Sequence, residues 1–416
     1  MKSLYQRLLL LFLFFTFLSL ADGREITVLH NGSVQGVLGE HSGGLQAKSL
    51  AYIEKTRKGN PKLLLLSCGN MIGPSVSSQI DGGALALELM NRAAYDGVAF
   101  GPHDFFAGLE NFEQRLIEAD FPFLCSNYHL SDDLQERGVL KDLESFVEVQ
   151  KGDLRILLLA VIESKVLENW PKWPKGLEMR DPLESLESFE DRAERADHVI
   201  VLGTMGLELA NGILHGFPWV DLVVAHPEAG EAAMSESAFI TQDLDGRLIL
   251  WSACHGSHMA KLKYTGPSAE VPFSYRPIDV SSLELRDEEL ASRIARLESR
   301  AKKMRGDVIA CLSTEERAAY PRTLLAALRC ELKAEVAVIH EGALLLDEAP
   351  KEVTMQSLGH TFPFPDRAAL MNVKGRKLKE LWRLRNESLI NEEGLAIVGM
   401  AERRGRLLVN GRPLKE

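Results

Sequence analysis

The chain has 416 residues, of which 45% are hydrophobic and 26% charged, so it is long enough for two globular domains. Its net charge of −11 argues against nonspecific nucleic-acid binding and suits an exported protein. We therefore expect a soluble two-domain protein without a nucleic-acid partner.

The N-terminus carries the features of a secretory signal peptide. Lys2 and Arg7 precede an apolar run over residues 8–20, and the small residues Ala21 and Gly23 follow it. The run is shorter than the roughly 20 residues that a membrane helix needs. We predict a signal peptide at residues 1–23, a periplasmic or secreted protein, and no transmembrane domain after cleavage.

Apolar strands and amphipathic helices alternate along the next part of the chain. Predicted strands end near His30, Leu66, Phe100, Ile162, Gly203 and His226. Predicted helices lie between them, at about residues 45–56, 83–94, 108–119 and 182–196. A hairpin is predicted from residues 239–242 and 248–252. This alternation predicts an α/β fold with mostly parallel, buried sheets flanked by helices.

The domain organisation follows from a charged amphipathic helix at residues 288–304, which is typical of a connector. We predict a first domain at 24–285, a linker helix at 286–305 and a smaller α/β domain at 306–416. The five cysteines are widely spaced and form no Cys-x-x-Cys pair, which argues against a structural zinc site. We expect them to be small buried side chains, with at most two disulfides of unassigned pairing.

The segment Gly101–Gly108 follows a predicted strand, where open α/β sheets bind ligands. Its sequence, Gly-Pro-His-Asp-Phe-Phe-Ala-Gly, resembles the Gly-Asn-His-Glu-Phe-Asp block of calcineurin-like metallophosphoesterases, in particular the 5′-nucleotidase family. The resemblance implies a layered metallophosphoesterase fold, a divalent metal pair such as Mn or Zn, and phosphoester hydrolysis. It also implies that His103 stabilises the phosphate under attack.

This chain aligns with the other metal-binding blocks of that family but lacks their metal ligands. Ser33 and Gln35 occupy the Asp-x-His positions, and Asn70 replaces the bridging Asp. Pro102 replaces the metal-binding Asn, and Thr204 stands at a His position. Neutral side chains compensate poorly for the repulsion between two dications. We therefore predict that the metal centre is absent.

The nucleotide-binding features of the family's second domain are also missing. Leu345 occupies the position of an anion-binding Arg, so a bidentate clamp is lost. No aromatic residue follows Trp382, so the pair of rings that holds the base has no counterpart. We interpret Phe362 and Phe364 as core and turn residues. The second domain resembles a shortened version of the family's.

These substitutions predict a degenerate family member that acts as a non-catalytic binding or assembly protein. An unknown small ligand or protein partner would enter a cleft near Gln35, Asn70, His103 and His226. One alternative is an active hydrolase of nucleotide phosphoesters or related esters that uses His103. Another is a structural subunit of an active relative.

Two further readings depend on particular polar residues. His226, Glu228, His255 and His258 could form a rebuilt single-metal site, although His-x-x-His spacing alone is also common among surface histidines. Asn31 and Asn386 begin Asn-x-Ser sequences, which matter only in a eukaryotic secretory pathway.

Overall fold

The computed structural model describes most of the chain. The described residues are 25–39, 45–164, 173–226, 239–242, 247–252, 256–266, 273–305, 308–340, 349–354, 357–358, 361, 370–388 and 395–414. The predicted signal peptide lies outside these residues.

The chain divides into two compact units, Met1–Glu298 and Ser299–Glu416. The division falls within a helix that covers Glu288–Arg305, close to the extent predicted from its charge pattern. Each unit is described by itself.

The strands of the first unit are numbered in chain order. They are β1 Ile26–Asn31, β2 Leu63–Ser67, β3 Gly97–Ala99, β4 Phe123–Leu124, β5 Tyr128–Leu130, β6 Leu143–Glu144, β7 Phe146–Lys151, β8 Leu154–Ile162, β9 Leu177–Met179, β10 His198–Thr204, β11 Leu222–His226, β12 Phe239–Gln242, β13 Leu248–Trp251, β14 His258–Tyr264 and β15 Phe273–Asp279.

Two mixed sheets contain most of these strands. The first has the order β15-β14-β1-β2-β3-β4-β6, and the second has the order β12-β13-β11-β10-β8-β7. The inner strands β1, β2, β3 and β4 are parallel, as are β8, β10, β11 and β13. The expected parallel sheets and the β12–β13 hairpin are therefore confirmed, whereas β7, β14 and β15 pair antiparallel at the edges.

Helices border these strands along the chain. They are α1 Leu45–Gly59, α2 Val76–Asp81, α3 Ala84–Ala93, α4 Leu109–Glu118, α5 Asp132–Glu136, α6 Pro182–Glu187, α7 Glu190–Ala193, α8 Leu207–Gly216 and α9 Glu288–Arg305. A 3₁₀ turn covers Pro102–Phe105 between β3 and α4.

The unit has four layers, with the sheets in the middle and helices outside. Alternate strand residues serve different cores, as the period of two requires. Leu64 and Leu158 belong to the core between the sheets, Leu65 to the core beneath α1 and α3, and Leu157 to the core beneath α8. The layered α/β class predicted from the sequence is confirmed.

The single helix predicted at residues 182–196 is wrong, because α6 ends at Glu187 and α7 begins at Glu190. The break lies at Ser188 and Phe189. Phe189 leaves helical geometry and packs in the core against Phe146, with 5.9 Å between the ring centroids. Burial of that aromatic ring therefore overrides the helical pattern of the charged residues around it.

The cysteine prediction holds in part. Cys68 and Cys125 are buried free thiols, whereas Cys311 and Cys330 are exposed, so the expectation of burial is wrong for these two. Cys254 lies outside the described residues.

In the second unit, the strands are β16 Val308–Cys311, β17 Ala337–His340, β18 Glu352–Thr354, β19 Leu395–Val398, β20 Met400–Arg403, β21 Arg406–Val409 and β22 Arg412–Pro413. Its helices are α10 Thr314–Ala318, α11 Tyr320–Glu331 and α12 Gly375–Ser388. β16 pairs with β18, β17 pairs with β19, and β20–β22 form a meander, all antiparallel.

Among the described helices of both units, none combines the length and the apolar character that crossing a membrane requires.

A nearly buried ion pair links the two sheets of the first unit. Lys151, on the edge strand β7, places its Nζ 2.6 Å from Asp96 Oδ1, just before β3. The other carboxylate oxygen of Asp96 accepts the N–H of Leu65 on β2 at 2.8 Å. Asp96 Oδ2 also lies 3.8 Å from Arg57 Nη1, so the carboxylate has two cationic partners, of which Lys151 is the closer.

We expect Lys151→Met to lower the free energy of unfolding by about 2 kcal/mol, because it removes the closer of the two cationic partners of the Asp96 carboxylate. Chemical denaturation at neutral pH measures the change. Arg137→Met is the matched control, because Arg137 pairs with Asp133 on an exposed helix face. Its effect should stay below about 0.5 kcal/mol. An equal effect of both substitutions would contradict the role assigned to Lys151.

Candidate functional site

The loops that follow β1 and β2 run side by side at the carboxyl edge of the first sheet. The N–H of Ser33 donates to Gly69 O at 2.8 Å, that of Gln35 to Asn70 O at 2.7 Å, and that of Gly36 to Met71 O at 2.9 Å. The sequence predicted that Ser33, Gln35 and Asn70 would share this edge. The structure brings these three residues together.

These same three residues have left-handed backbone conformations. Their φ values are +49° at Ser33, +54° at Gln35 and +56° at Asn70. Such values are uncommon for residues other than Gly, and each costs on the order of 1 kcal/mol or more. The loops therefore keep a strained geometry at the positions that correspond to metal ligands in the family.

Asp104 holds these loops through backbone amides. Its carboxylate accepts N–H groups from Met71 and Ile72 at 2.8 Å, from Gly101 at 2.9 Å and from Asn70 at 3.1 Å. Burial raises the pKa of Asp104 to about 6, although the amide donors of Ile72, Gly101 and Met71 act in the opposite direction. Asp104 stands at the position of the Glu in the family motif, and its partners are these nearby backbone donors.

Asn70 and His103 are connected through the 3₁₀ turn. Asn70 Oδ1 accepts the backbone N–H of His103 at 3.1 Å. A Cβ at Gly101 would lie 2.0 Å from the same oxygen, so the turn can approach Asn70 only because residue 101 is Gly. The amide oxygen of Asn70 is thus engaged by the backbone, and the His103 side chain is buried beside it.

The second sheet contributes its own strand ends. Thr204 and His226 are register neighbours at the carboxyl ends of the parallel strands β10 and β11, and both are buried. His226 Nδ1 lies 3.4 Å from Ser252 O, just after β13. Thr204 Oγ1 has no hydrogen-bond partner within the described ranges.

His30 and Gly32 join the two strand edges. His30 Nδ1 lies 3.0 Å from Ser252 Oγ, which connects β1 of the first sheet to the end of β13 in the second. A Cβ at Gly32 would lie 2.1 Å from Cys68 Sγ and 3.2 Å from Ser252 Cβ. Complete burial lowers the pKa of His30 to about 3, so its ring is neutral. His30 was not among the predicted site residues, although a polar residue at an inward position of a buried strand indicates a specific hydrogen-bond partner in the core.

A cavity beside these loops is too small for a substrate. It has a volume of about 30 Å³ and is lined by Asn31, Gly36, Gln46, Met71 and Tyr95, among others. That is room for little more than one water molecule. None of Gln35, Asn70, His103 and His226 lines it, so the cleft predicted around them is not this cavity.

The side chains present do not fit a pair of Mn or Zn ions. Such ions need several carboxylates as well as imidazoles, whereas the strand ends present hydroxyl and amide groups beside His103 and His226, and the carboxylate of Asp104 is engaged by backbone amides. No cluster of three His, Cys, Asp or Glu suited to a metal ion occurs among the described residues.

The rebuilt single-metal site gains no support. Glu228 and His255 lie outside the part of the chain that the structure describes, and His258 Nδ1 lies 3.1 Å from the hydroxyl of Ser257. The segments with Leu345, Phe362 and Phe364 are also outside it. Trp382, which is described, donates its indole N–H to Glu402 at 3.2 Å.

No protein-family model matches the chain. It is 30% identical to human 5′-nucleotidase over 121 residues, which are 26% of this chain and 21% of that protein. It is 23% identical to bovine 5′-nucleotidase over 266 residues, which are 58% of this chain and 46% of the relative. The chain thus spans less than half the length of these curated relatives.

Solved structures share the fold over nearly the whole chain. A putative 5′-nucleotidase from Staphylococcus aureus has a TM-score of 0.68 at 18% identity, with 92% of this chain and 79% of that chain covered. A 5′-nucleotidase precursor from Thermus thermophilus has a TM-score of 0.67 at 16% identity, with 92% and 85% covered.

The layered sheets, their strand-end loops and these structural similarities define a metallophosphoesterase-type fold. The sequence similarities, which cover part of each relative, support a relation to the 5′-nucleotidase family.

We expect Asp104→Asn to lower the free energy of unfolding by about 2 kcal/mol at neutral pH, because one amide oxygen cannot accept four backbone N–H groups. Chemical denaturation measures the difference. Glu110→Gln, on an exposed position of α4, is the matched control and should be nearly neutral.

The pKa of Asp104 gives the same prediction a second readout. Amide resonances of residues 70–72 and 101 should titrate with a midpoint near pH 6 in the unmodified protein. The titration should be absent in Asp104→Asn. Its persistence in that variant would show that another group titrates there.

Proposed function

We propose that this protein is an exported, non-catalytic binding protein of the 5′-nucleotidase family. One observation carries the proposal: the strand ends where the family binds its metal pair present Ser33, Gln35, Asn70 and Thr204 in this chain. These side chains are neutral, so they supply hydrogen bonds but no negative charge to hold dications. Export rests on the charge and hydropathy pattern of residues 1–23.

The preserved backbone of the loops supports a binding role. Asp104 accepts four backbone N–H groups and so fixes the loops. Ser33, Gln35 and Asn70 have left-handed φ values, although their side chains are not suited to bind metal. Strain of this kind persists where surrounding structure enforces it, and it is concentrated at functional sites. We infer that the loops still serve recognition.

The ligand class follows from the available groups. Hydroxyl, amide and imidazole side chains at Gln35, Asn70, His103 and His226 suit a polar small molecule or a protein loop. We assign the proposed ligand cleft, near these four residues, to a first domain of residues 24–285. A linker at 286–305 and a shortened domain at 306–416 follow it.

We expect the purified protein to hold far less than one Mn or Zn ion per chain after dialysis against either metal, because its ligand positions are neutral. Elemental analysis by mass spectrometry measures the content. The variant Ser33→Asp/Gln35→His/Asn70→Asp/Pro102→Asn restores the family pattern and should bind more metal.

The control for metal content carries Ser188→Asp and Gln114→His, the same types of change at exposed positions away from the strand ends. It should match the unmodified protein. One or more ions per chain in the unmodified protein would contradict the proposal and favour the hydrolase alternative.

We expect phosphate release from adenosine monophosphate with added Mn to stay at background, and to be equal in the unmodified protein and in His103→Ala. The reason is that His103 has no metal-bound phosphate to stabilise. A colorimetric phosphate assay with an active 5′-nucleotidase as positive control checks this. A metal-dependent rate that disappears in His103→Ala would refute the proposal.

A further inference from the structure

The C-terminal part of the chain reverses the sign of its net charge. Residues 370–414 contain ten Lys and Arg against five Glu, whereas the whole chain carries −11. The net charge of the whole chain conceals this basic segment. Its described residues, 370–388 and 395–414, belong to the second unit.

Helix α12 presents a basic face to solvent. Leu378, Leu381, Trp382 and Arg385 are partly buried and recur at the spacing of one helix face. The opposite face exposes four basic residues, Arg376, Lys377, Lys379 and Arg383, and one acidic residue, Glu380. Lys377 Nζ lies 2.7 Å from Glu380 Oε2, and four basic residues against one acidic residue give this face a net positive charge.

The hairpin β20–β21 adds three arginines at its tip. Arg403, Arg404 and Arg406 are exposed, with only Gly405 between them. Arg404 and Gly405 have φ values of +50° and +72°, which is the backbone of a tight two-residue hairpin turn. Trp382 donates its indole N–H to Glu402 at 3.2 Å, which places the first strand of this hairpin against the middle of α12.

An exposed apolar segment leads directly into the basic helix. Leu370 is 65% exposed, Met371 is 76% exposed and Val373 is 41% exposed. Lys374 follows them, and its carbonyl accepts the N–H of Lys377 at the start of α12. Exposed apolar side chains next to basic residues can enter the boundary between headgroups and acyl chains while the basic residues remain at the headgroups.

We propose that this basic and apolar surface, formed by residues 370–385 and 403–406, docks the protein on an anionic phospholipid bilayer. The arginines and lysines would approach the headgroups, and Leu370 and Met371 would enter the boundary between headgroups and acyl chains. This is a peripheral contact, separate from the ligand cleft that we propose for the first unit.

The same surface suits nucleic acid less well. Single strands bind to basic surfaces with aromatic rings on which the bases stack. The aromatic residue here, Trp382, is partly buried, hydrogen-bonded to Glu402 and covered by the guanidinium of Arg385, 4.9 Å from the ring centroid. The exposed Leu370 and Met371 have no use on a phosphate backbone, whereas a bilayer accepts them.

The test is co-sedimentation of the full chain with vesicles of phosphatidylcholine alone and of phosphatidylcholine mixed with phosphatidylglycerol. We expect binding to the mixed vesicles, weaker binding at high salt, and little binding to phosphatidylcholine alone. Each basic residue near the surface contributes about fivefold to partitioning, so Arg403→Gln/Arg404→Gln/Arg406→Gln should weaken binding by about a hundredfold.

A second variant separates insertion from electrostatics. Leu370→Ser/Met371→Ser removes the apolar contact, so it should weaken binding to mixed vesicles while leaving the salt dependence in place. Lys55→Glu/Lys58→Glu is the matched control, because it changes exposed charges on α1 of the first unit. It should bind as the unmodified protein does. Circular dichroism checks that each variant is folded.

Three outcomes would overturn the proposal. The first is equal binding to both kinds of vesicle. The second is an equal loss of binding in the Lys55→Glu/Lys58→Glu control. The third is binding to duplex DNA, or self-association seen by sedimentation equilibrium, that depends on Arg403, Arg404 and Arg406 while vesicles are not bound.

Discussion

The buried carboxylate of Asp104 is the interaction on which the candidate site depends. It collects backbone amides from the loop after β2, at residues 70–72, and from Gly101 after β3. The loop after β1 then pairs with residues 69–71 through Ser33, Gln35 and Gly36. All three strand-end loops of the first sheet therefore derive their geometry from one side chain and from backbone hydrogen bonds. None of these interactions requires a metal ion, so the scaffold can persist after its ligands are replaced.

The same dependence explains how much the sequence could predict. The strands are continuous apolar runs, and parallel strands place their carboxyl ends at one edge, so the proximity of Ser33, Gln35 and Asn70 followed directly. The role of Asp104 in joining the loops could not be predicted, because three of its four donors are 32 to 34 residues away in the loop after β2. The contact between His30 and Ser252 spans 222 residues and two sheets. Such contacts depend on how the sheets pack, which strand periodicity does not specify.

Helix boundaries show a similar limit. The charged pattern at residues 182–196 continues across Ser188, but the ring of Phe189 lies in the core beside Phe146. Local propensity differs among ordinary residues by a few tenths of a kcal/mol, whereas a buried Phe contributes about 2 kcal/mol. Packing therefore determines where α6 ends. The antiparallel pairing of β14 with β1 and β15 shows a related limit, because the apolar pattern of a strand does not specify the direction of its neighbour.

The net charge of the chain does not determine how a local surface interacts with a charged partner. A net charge of −11 describes the field far from the protein, yet ionic screening limits each charge to about 8–10 Å at physiological salt. A flat anionic surface in contact with the hairpin tip therefore responds to Arg403, Arg404, Arg406 and their neighbours on α12, and acidic residues more than one screening length away have little influence. A net acidic protein can for this reason carry a basic docking surface. An acidic exported protein can therefore bind an anionic membrane, since its solubility depends on its net charge and docking depends on the charge of the surface that touches the membrane.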